Sequence, residues 1–476
     1  MINANQLPSG NGGKKASAEA VYDIVVVGGG PAGYIAAIKA ARLGGRVAIV
    51  EKDTVGGTCL NRGCIPTKNY LKTAEMISHI QALQKRGVNL SDTSFTVDMA
   101  KVVDEKNKVV KKLTGGIASL LKSNGVDIFY GHGVVKPDKT VVVNNEAVLK
   151  TEKVIYAGGS TVSRVKIPGI DSPLVLTSDE ILDLKEIPAN LAIIGGGVIG
   201  LEMATVFNRL GSKVHVIELE QRVLPLMDED ISNLMKKALE SQGIKISTST
   251  KLLNIEEIQT GLQLNTDKVG AVQCEKALLS IGRCPDLSGL QEIDIELDRG
   301  RVKTNRNMQT SVDWLYAPGD VNGQMMLAHV AFKMGEVAAA NALGHSEKID
   351  LRHVPSCVYT TPEIGCVGLT EKQAREGHDI SIGRFQFGSN GRALASGEGE
   401  GFVKIITDKK YGEILGVHMI GPCTAEIANE AAVLMQMEIT AEEIADAIHG
   451  HPTYSEAFME AVADSLGQAL HLPKKA

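Results

Sequence analysis

The sequence predicts an α/β protein in which two Rossmann-like units precede a C-terminal α+β domain. Two segments predict the Rossmann-like units: YDIVVVGGGPAG at residues 22–33 and LAIIGGGVIG at residues 191–200. In each, an apolar, β-branched run typical of a buried parallel strand leads into a glycine turn and a helix-forming stretch. From Pro355 the pattern changes to strand-like runs such as GFVKIITD and ILGVHMIG, which are followed by helices and predict the α+β domain.

Composition excludes several classes of protein. The chain has 476 residues with a formal net charge of −6, and 43% of them are apolar but only 4% aromatic. The charge and the scarcity of aromatic rings argue against a nucleic-acid partner, and no apolar run reaches the ~18 residues of a membrane span. Residues 1–20 lack a targeting pattern and are expected to form a disordered tail. Seven cysteines in so long a chain indicate a cytoplasmic protein.

The first glycine turn predicts a dinucleotide site. Gly28, Gly30 and Gly33 follow a strand and open a helix, and Glu51 ends the next strand. Glycines at these positions let a pyrophosphate approach the helix N-terminus, where free N–H groups favour its charge, while the acid binds a ribose. The alternative is a turn whose glycines serve packing alone; the complete strand–turn–helix–strand context favours the nucleotide site.

The same unit returns 167 residues later. Gly195, Gly197 and Gly200 repeat the turn, and Glu218 lies 23 positions after the first glycine, as Glu51 does in the first copy. Two complete units imply two dinucleotides, most simply a bound flavin and a diffusing nicotinamide. Because a carboxylate binds a ribose 2′-OH and repels a 2′-phosphate, the second acid favours NAD over NADP.

Two cysteines stand five residues apart in GGTCLNRGCIPTK, residues 56–68. A structural disulfide is improbable in a cytoplasmic protein, and no further Cys or His follows at zinc-ligand spacing, so we predict no metal site. The favoured interpretation is that Cys59 and Cys64 form a redox dithiol/disulfide next to the flavin. The other five cysteines are interpreted as core residues.

With these motifs, residues 21–474 resemble the pyridine nucleotide–disulfide oxidoreductases, whose active-disulfide motif is similar to GGTCLNRGCIPTK. The resemblance implies that Cys64 lies nearest the flavin, that Cys59 exchanges with substrate, and that Lys68 pairs with Glu202 near the flavin. It also implies a flavin contact from Asp320 in YAPGD. Further FAD or NAD contacts are expected at Pro31, Ala32, Lys52, Gly57, Thr58, Gly133, Gly158, Gly159, Ser160, Val198, Ile199, Leu252, Gly282, Met326, Leu327, Ala328 and His329.

The segment HGHPTYSE, residues 449–456, predicts an acid–base pair. Disulfide exchange needs a base for the incoming thiol, and a histidine backed by a carboxylate suits this role. The resemblance assigns His451 as base and Glu456 as its orienting acid; His449 is the competing candidate and is given a structural role. It also implies a homodimer in which this histidine enters the partner's active site.

The resemblance divides the chain into five parts. They are the tail 1–20, an FAD-binding domain with segments 21–160 and 287–354, an NAD-binding domain 161–286, and a dimerisation domain 355–476. The expected reaction is the FAD-dependent oxidation of dihydrolipoyl groups on carrier proteins of 2-oxoacid dehydrogenase or glycine-cleavage complexes, with reduction of NAD. Another flavin disulfide reductase, acting on glutathione or mercuric ion, is the alternative; a non-catalytic flavoprotein is less favoured because both cysteines, the base and its acid are present. Arg62 departs from the Val common in the family.

Overall fold

The computed structural model describes residues 21–89 and 94–473, apart from the side chain of Gln81. The predicted tail of residues 1–20 lies outside this range. The chain forms two compact units, each assembled from three separate segments. Among the described residues, unit one comprises 21–57, 114–160 and 285–349, and unit two comprises 58–113 apart from 90–93, 161–284 and 350–473.

Unit one is built on a sheet of seven strands. In order across the sheet they are Asp127–Tyr130, Val47–Glu51, Val21–Val27, Ala147–Tyr156, Thr140–Val143 and Gly133–Val135, with Leu315–Tyr316 also paired to Ala147–Tyr156. Pairing is parallel around the central strand and antiparallel between the last three strands of the order. The last four residues of Val21–Val27 are buried, as expected for a β-branched strand that is covered on both faces.

Two helices of unit one, Pro31–Arg42 and Ala328–Ala342, pack closely through small side chains. A Cβ on Gly335 would lie only 2.3 Å from the carbonyl oxygen of Ala32, so no larger residue fits at this crossing. Ala32, Ala157 and Ala331 form a small apolar cluster in the same unit. The glycine and alanine content of both helices therefore serves close backbone approach.

Unit two contains the second parallel sheet, which confirms the second Rossmann-like unit. Its order is Lys245–Ser247, Lys213–Ile217, Asn190–Ile194, Lys276–Leu279 and Val175–Leu176. The helices Val198–Leu210 and Glu229–Ser241 belong to this part of the chain. An antiparallel sheet of Leu252–Ile258, Gly261–Thr266 and Ala271–Cys274 precedes its fourth strand.

The C-terminal part of unit two confirms the predicted α+β domain. Its antiparallel sheet has the order Ser356–Val358, Glu363–Gly368, Ile414–Gly421, Phe402–Asp408 and Ile380–Gln386. The helices here are Glu371–Arg375, Gly391–Ser396, Thr424–Gln436, Ala441–Asp446 and Glu456–Ser465. Every residue of Phe402–Asp408 and Ile414–Gly421 is buried, because apolar clusters cover both faces of the sheet.

The remaining elements are short, apart from two helices. The two long helices are Cys64–Ala82 and Met99–Ser123. The short helices are Gly57–Arg62 and Ser178–Ile181. Single 3-10 turns lie at Leu83–Arg86, Asp320–Asn322 and Phe387–Ser389. Short strands lie at Ser160–Val162, Arg283–Pro285, Leu297–Asp298 and Arg301–Val302. Within residues 21–89 and 94–473, no helix is long and apolar enough to cross a bilayer.

A buried cluster of charges lies inside unit two. The Nζ atom of Lys404, a residue that is 1% exposed, donates to Asp228 at 2.9 Å, to Asp230 at 2.7 Å and to Glu371 at 2.7 Å. Arg384 also pairs with Asp230. Burial alone would raise the pKa of Asp228, but hydrogen bonds from the Glu371 main chain and from Lys404 hold it below its usual value. We call these five residues the Lys404 cluster.

We expect Lys404→Met to lower the free energy of unfolding by about 3–5 kcal/mol, because buried carboxylates would lose the ammonium that compensates them. Urea denaturation followed by circular dichroism measures this change. Lys409→Met is the control, since Lys409 pairs at 2.8 Å with an exposed Asp379 and its loss should leave stability nearly unchanged. Equal effects of the two substitutions would contradict a stabilising role for the buried contacts.

Candidate active site

The first glycine turn is closed by direct backbone contact. Gly28 follows the strand Val21–Val27 with φ 100°, a conformation that favours glycine, and its N–H donates to Val50 O at 2.8 Å. A Cβ on Gly33 would lie 1.8 Å from the Gly28 carbonyl oxygen. Glycine at both positions is therefore required for the turn to form, whether or not a ligand is present.

The second turn repeats this geometry in unit two. Gly195 has φ 108°, and its N–H donates to Ile217 O at 2.9 Å. A Cβ on Gly200 would lie 2.1 Å from the Gly195 carbonyl oxygen. The agreement between two turns that lie far apart in sequence shows that the motif specifies the same local structure each time.

The middle glycines have a different role, because they leave space open. Gly30 and Gly197 directly precede the helices Pro31–Arg42 and Val198–Leu210, and neither helix has a side-chain cap at this residue. Within the described part of the chain, a Cβ on Gly197 would meet no atom within 4 Å, and one on Gly30 would meet only Gly57 Cα at 3.6 Å. Each helix N-terminus is thus accessible to an anionic group, and both turns fit the pyrophosphate of a dinucleotide.

The two acids predicted to bind ribose also hold the turns. In the first unit, Glu51 accepts from Gly29 N at 2.6 Å and, with its other oxygen, from Asp53 N at 2.8 Å. In the second unit, Glu218 accepts from Gly196 N at 2.5 Å and, with its other oxygen, from Glu220 N at 2.7 Å. Sequence reasoning missed this structural role. The ribose contact of both acids stays a prediction.

Most of the other predicted contacts to the first cofactor belong to unit one, whereas Thr58 belongs to unit two. Ser160 donates to Asp320 Oδ2 at 2.6 Å, and Lys52 pairs with Asp286 at 2.7 Å. Gly133 lies against Val27 and Val50 side chains, Gly158 lies against the Tyr156 ring, and Gly159 has φ 74°. Met326 and Leu327 directly precede the helix that begins with Ala328 and His329. Gly57 lies beside Gly30, where a Cβ on Gly57 would meet Gly30 Cα at 2.5 Å.

The predicted contacts to the second nucleotide lie in unit two. Val198 is partly exposed and begins, with Ile199, the helix that follows the glycine turn. Gly282 has φ 111° and accepts from Ser163 N at 3.0 Å. Leu252 is 6% exposed and belongs to an apolar cluster, so it is part of the core of this unit.

The two motif cysteines lie on consecutive helices of the same segment. Cys59 is in Gly57–Arg62, Cys64 begins Cys64–Ala82, and Gly63 links the two helices. Both are free thiols here and are hydrogen-bonded to each other. This bond, more than the nearby Lys68 charge, lowers the pKa of Cys64 to about 7 against the opposing effect of burial. The same bond and burial raise the pKa of Cys59, so Cys64 is the first of the two sulfurs to ionise.

Lys68 lies one helical turn after Cys64. Its Nζ atom donates to both carboxylate oxygens of Glu202 at 2.8 Å each, and Glu202 is 3% exposed. The ring centroid of Tyr359 lies 4.4 Å from the same Nζ, and Tyr359 N donates to Glu202 Oε1 at 3.0 Å. Sequence analysis did not predict Tyr359. The structure thus brings together Cys59, Cys64, Lys68 and Glu202, with Tyr359 as an additional contact.

The C-terminal pair has the geometry of an oriented base. His451 Nδ1 lies 2.8 Å from Glu456 Oε1, and Thr453 N donates to the other carboxylate oxygen at 2.7 Å. Burial would raise the pKa of Glu456, but the Thr453 and His451 hydrogen bonds hold it below its usual value. The imidazole is largely exposed, and its second nitrogen points away from this carboxylate contact. The arrangement fits a histidine that exchanges protons at Nε2.

His449 is engaged on both sides of its ring. Nδ1 lies 3.1 Å from Ala447 O, and Nε2 lies 3.1 Å from Glu430 Oε1. Since both neighbours are acceptors, only the doubly protonated ring can donate to each. The hydrogen bond with Glu430 accordingly raises the pKa of His449 above its usual value. This histidine is placed to carry charge in the loop that also holds His451.

We expect Glu430→Gln to destabilise the protein more at about pH 5.5 than at about pH 8.5. The raised pKa of His449 means that the pair contributes fully below the unfolded-state pKa and that its contribution is lost as the pH rises through the folded-state pKa. Chemical denaturation at both pH values measures the difference. A destabilisation that is independent of pH would show that His449 is not a cation in the folded protein.

Two glycine turns that fit a dinucleotide pyrophosphate, together with a dithiol, are the parts expected of a dinucleotide-dependent disulfide oxidoreductase. The sequence profile of the pyridine nucleotide-disulphide oxidoreductases matches residues 22–335, and that of their dimerisation domain matches residues 354–462. A dihydrolipoyl dehydrogenase of Bacillus subtilis is 39% identical over 455 residues, which cover 94% of this chain and 99% of the relative. A dihydrolipoyl dehydrogenase of Thermus scotoductus is 40% identical over 462 residues, which cover 95% of this chain and 99% of the relative.

Solved structures show the same architecture. LpdA from Mycobacterium tuberculosis superimposes with a TM-score of 0.85 at 26% identity and covers 92% of this chain and 98% of that one. The flavoprotein disulfide reductase RclA from Escherichia coli superimposes with a TM-score of 0.84 at 28% identity and covers 93% of this chain and 99% of that one. The chain belongs to the pyridine nucleotide-disulphide oxidoreductase family. It is an NAD-dependent flavoprotein, which confirms the prediction of FAD and NAD, and its C-terminal domain is a dimerisation domain.

Proposed function

We propose that this enzyme oxidises dihydrolipoyl groups on carrier proteins to the lipoyl disulfide and reduces NAD. The observation that carries the proposal is the hydrogen-bonded pair Cys59–Cys64, with the pKa of one sulfur lowered to about 7. A dithiol of this kind exchanges with another dithiol–disulfide couple at neutral pH. The similarity to dihydrolipoyl dehydrogenases over nearly the whole chain supports the lipoyl substrate.

The exchange uses the two sulfurs differently. A substrate thiolate attacks Cys59 in the oxidised enzyme, the Cys59–Cys64 bond breaks, and Cys64 leaves as the thiolate. The second substrate thiolate then attacks the substrate sulfur of the mixed disulfide, which forms the lipoyl disulfide and leaves the Cys59 sulfur reduced. Two electrons have passed from substrate to the cysteine pair. The low pKa of Cys64 suits it as the leaving group.

His451 takes the proton of the first substrate thiol at Nε2 and releases it to solvent. It then takes the proton of the second thiol and gives it to the departing Cys59 sulfur, while Glu456 fixes the ring through Nδ1. The carboxylate also stabilises the imidazolium that forms, and Thr453 N holds the carboxylate in place. Thus the orientation of the base does not depend on the substrate.

The glycine turn of unit one, with Glu51, Ser160 and Asp320, would hold FAD, and the turn of unit two, with Glu218, would hold NAD. When bound, FAD supplies the two-electron acceptor for the dithiol and NAD the final hydride acceptor. Lys68, fixed by Glu202, keeps a positive charge beside Cys64. Glu218 selects against a 2′-phosphate by charge repulsion.

We further propose that the enzyme is a cytoplasmic homodimer in which His451 serves the partner's cysteine pair. The dimerisation-domain match supports the dimer, and the low cysteine content of so long a chain suits a reducing compartment. Its carriers would be the lipoylated domains of 2-oxoacid dehydrogenase or glycine-cleavage complexes. The division into an FAD-binding domain (21–160 and 287–354), an NAD-binding domain (161–286) and an interface domain (355–476) belongs to the same proposal.

We expect the purified yellow protein to oxidise NADH with lipoamide and not with glutathione disulfide or mercuric ion, and Cys64→Ser to abolish this turnover. NADH absorbance measures all three reactions. Cys274→Ser, a substitution of a buried cysteine outside the motif, is the control and should retain activity. Turnover of glutathione disulfide without lipoamide would favour the alternative reductase, and full activity of Cys64→Ser would overturn the dithiol mechanism.

We expect His451→Gln to slow reduction of the enzyme by dihydrolipoamide by about 10²–10⁴-fold, because a general base is lost, and to leave oxidation of the reduced enzyme by NAD nearly unchanged. Stopped-flow flavin absorbance separates the two half-reactions. His471→Gln is a matched control, since His471 Nδ1 also lies close to a carboxylate, Glu460, at 2.6 Å. Equal losses in both half-reactions would contradict the base role.

A further inference from the structure

The Lys68 ammonium is held by more than its carboxylate partner. Tyr359, the residue after the edge strand Ser356–Val358, places its ring centroid 4.4 Å from Lys68 Nζ. Its main-chain N–H donates to Glu202 Oε1 at 3.0 Å. One residue of the C-terminal segment therefore contacts both members of the Lys68–Glu202 pair.

These contacts join three separate parts of unit two. Lys68 lies on Cys64–Ala82, Glu202 lies on Val198–Leu210, and Tyr359 lies in the C-terminal domain. Glu202 is 3% exposed, so its carboxylate depends on donors from the protein: Lys68 Nζ and Tyr359 N. The Lys68 side chain, in contrast, is 32% exposed and has long, flexible methylenes. A ring face beside the ammonium restricts where that flexible end can go.

We propose that Tyr359 is a positioning residue whose ring holds the Lys68 ammonium beside the Cys64 sulfur. The inference rests on the proposed function in assigning Cys64 as the redox thiol. The ring acts through its face and not through its hydroxyl. Displacing the ring leaves the main-chain hydrogen bond from Tyr359 N to Glu202 in place. It removes the wall beside Lys68 Nζ, so the ammonium can leave the carboxylate and move toward solvent.

The electrostatics of the two residues agree with this role. Three neighbouring groups shift the pKa of Cys64. The hydrogen bond with Cys59 lowers it most, the Lys68 charge lowers it further, and the Glu202 charge raises it. Burial raises the pKa of Tyr359 to about 12, with contributions from the surrounding acidic groups Cys357, Glu363, Glu426 and Glu202. The phenol therefore stays neutral across the pH range in which Cys64 titrates, and its ring face stays available to the cation.

The test is the pH dependence of Cys64 alkylation in the reduced holoenzyme. The protein with bound FAD is reduced with excess dithiothreitol, labelled briefly with iodoacetamide across a pH series, and digested with trypsin. Cleavage after Arg62 places Cys59 and Cys64 on separate peptides, so mass spectrometry follows each thiol by itself. The compared variants are Tyr359→Leu, which removes the ring, and Tyr359→Phe, which removes only the hydroxyl.

We expect Tyr359→Leu to raise the pH midpoint of Cys64 labelling and to slow labelling below that midpoint by about two- to fivefold. Tyr359→Phe should label like the unmodified protein. An unchanged midpoint in the Leu variant, or equal shifts in the Leu and Phe variants, would overturn the proposal. Tyr359→Met replaces the Leu variant if the latter loses its flavin. Failure of the proposed function is recognised separately, because Cys64→Ser would then retain lipoamide turnover.

Discussion

Each of the two glycine turns depends on a carboxylate that ties the end of one strand to the turn before it. Glu51 accepts a hydrogen bond from the main-chain N–H of Gly29 at 2.6 Å. Glu218 accepts one from the main-chain N–H of Gly196 at 2.5 Å. Both acids are buried, at 6% and 7% exposure, and such charge-assisted bonds are strong. The turn is therefore fixed before a dinucleotide arrives, which reduces the ordering that binding would otherwise require.

Sequence patterns predict the local parts of this fold well. The strands, the glycine turns and the acids that follow them depend on residues within about one supersecondary unit, where periodicity and spacing are informative. The second role of the acids was missed because a carboxylate bonded to a turn and one bonded to a ribose occupy the same position. Lys404 was missed for another reason: in GFVKIITD it resembles an ordinary polar residue of a strand, and its partner Asp228 is 176 positions away.

The candidate site shows the same division between local and distant information. The Lys68–Glu202 and His451–Glu456 pairs follow from motifs that the family resemblance identifies. Tyr359 contributes a main-chain N–H, which any residue except proline has, and a ring face, which periodicity does not reveal. Its contacts exist only because the tertiary fold brings the C-terminal segment to the helix that carries Cys64. A single sequence contains no local signal for such a juxtaposition.

The Lys404 cluster also bears on how the C-terminal sheet selects its pairing. Arg384, Lys404 and His418 lie directly opposite one another on three neighbouring strands, so their side chains share one face. A slip of one residue would turn a basic side chain to the opposite face, where Val403 and Val417 belong to an apolar cluster. The misaligned charge would then be buried without a carboxylate. The cluster therefore penalises incorrect strand registers, and it specifies one alignment for a sheet whose continuous apolar strands would otherwise tolerate several.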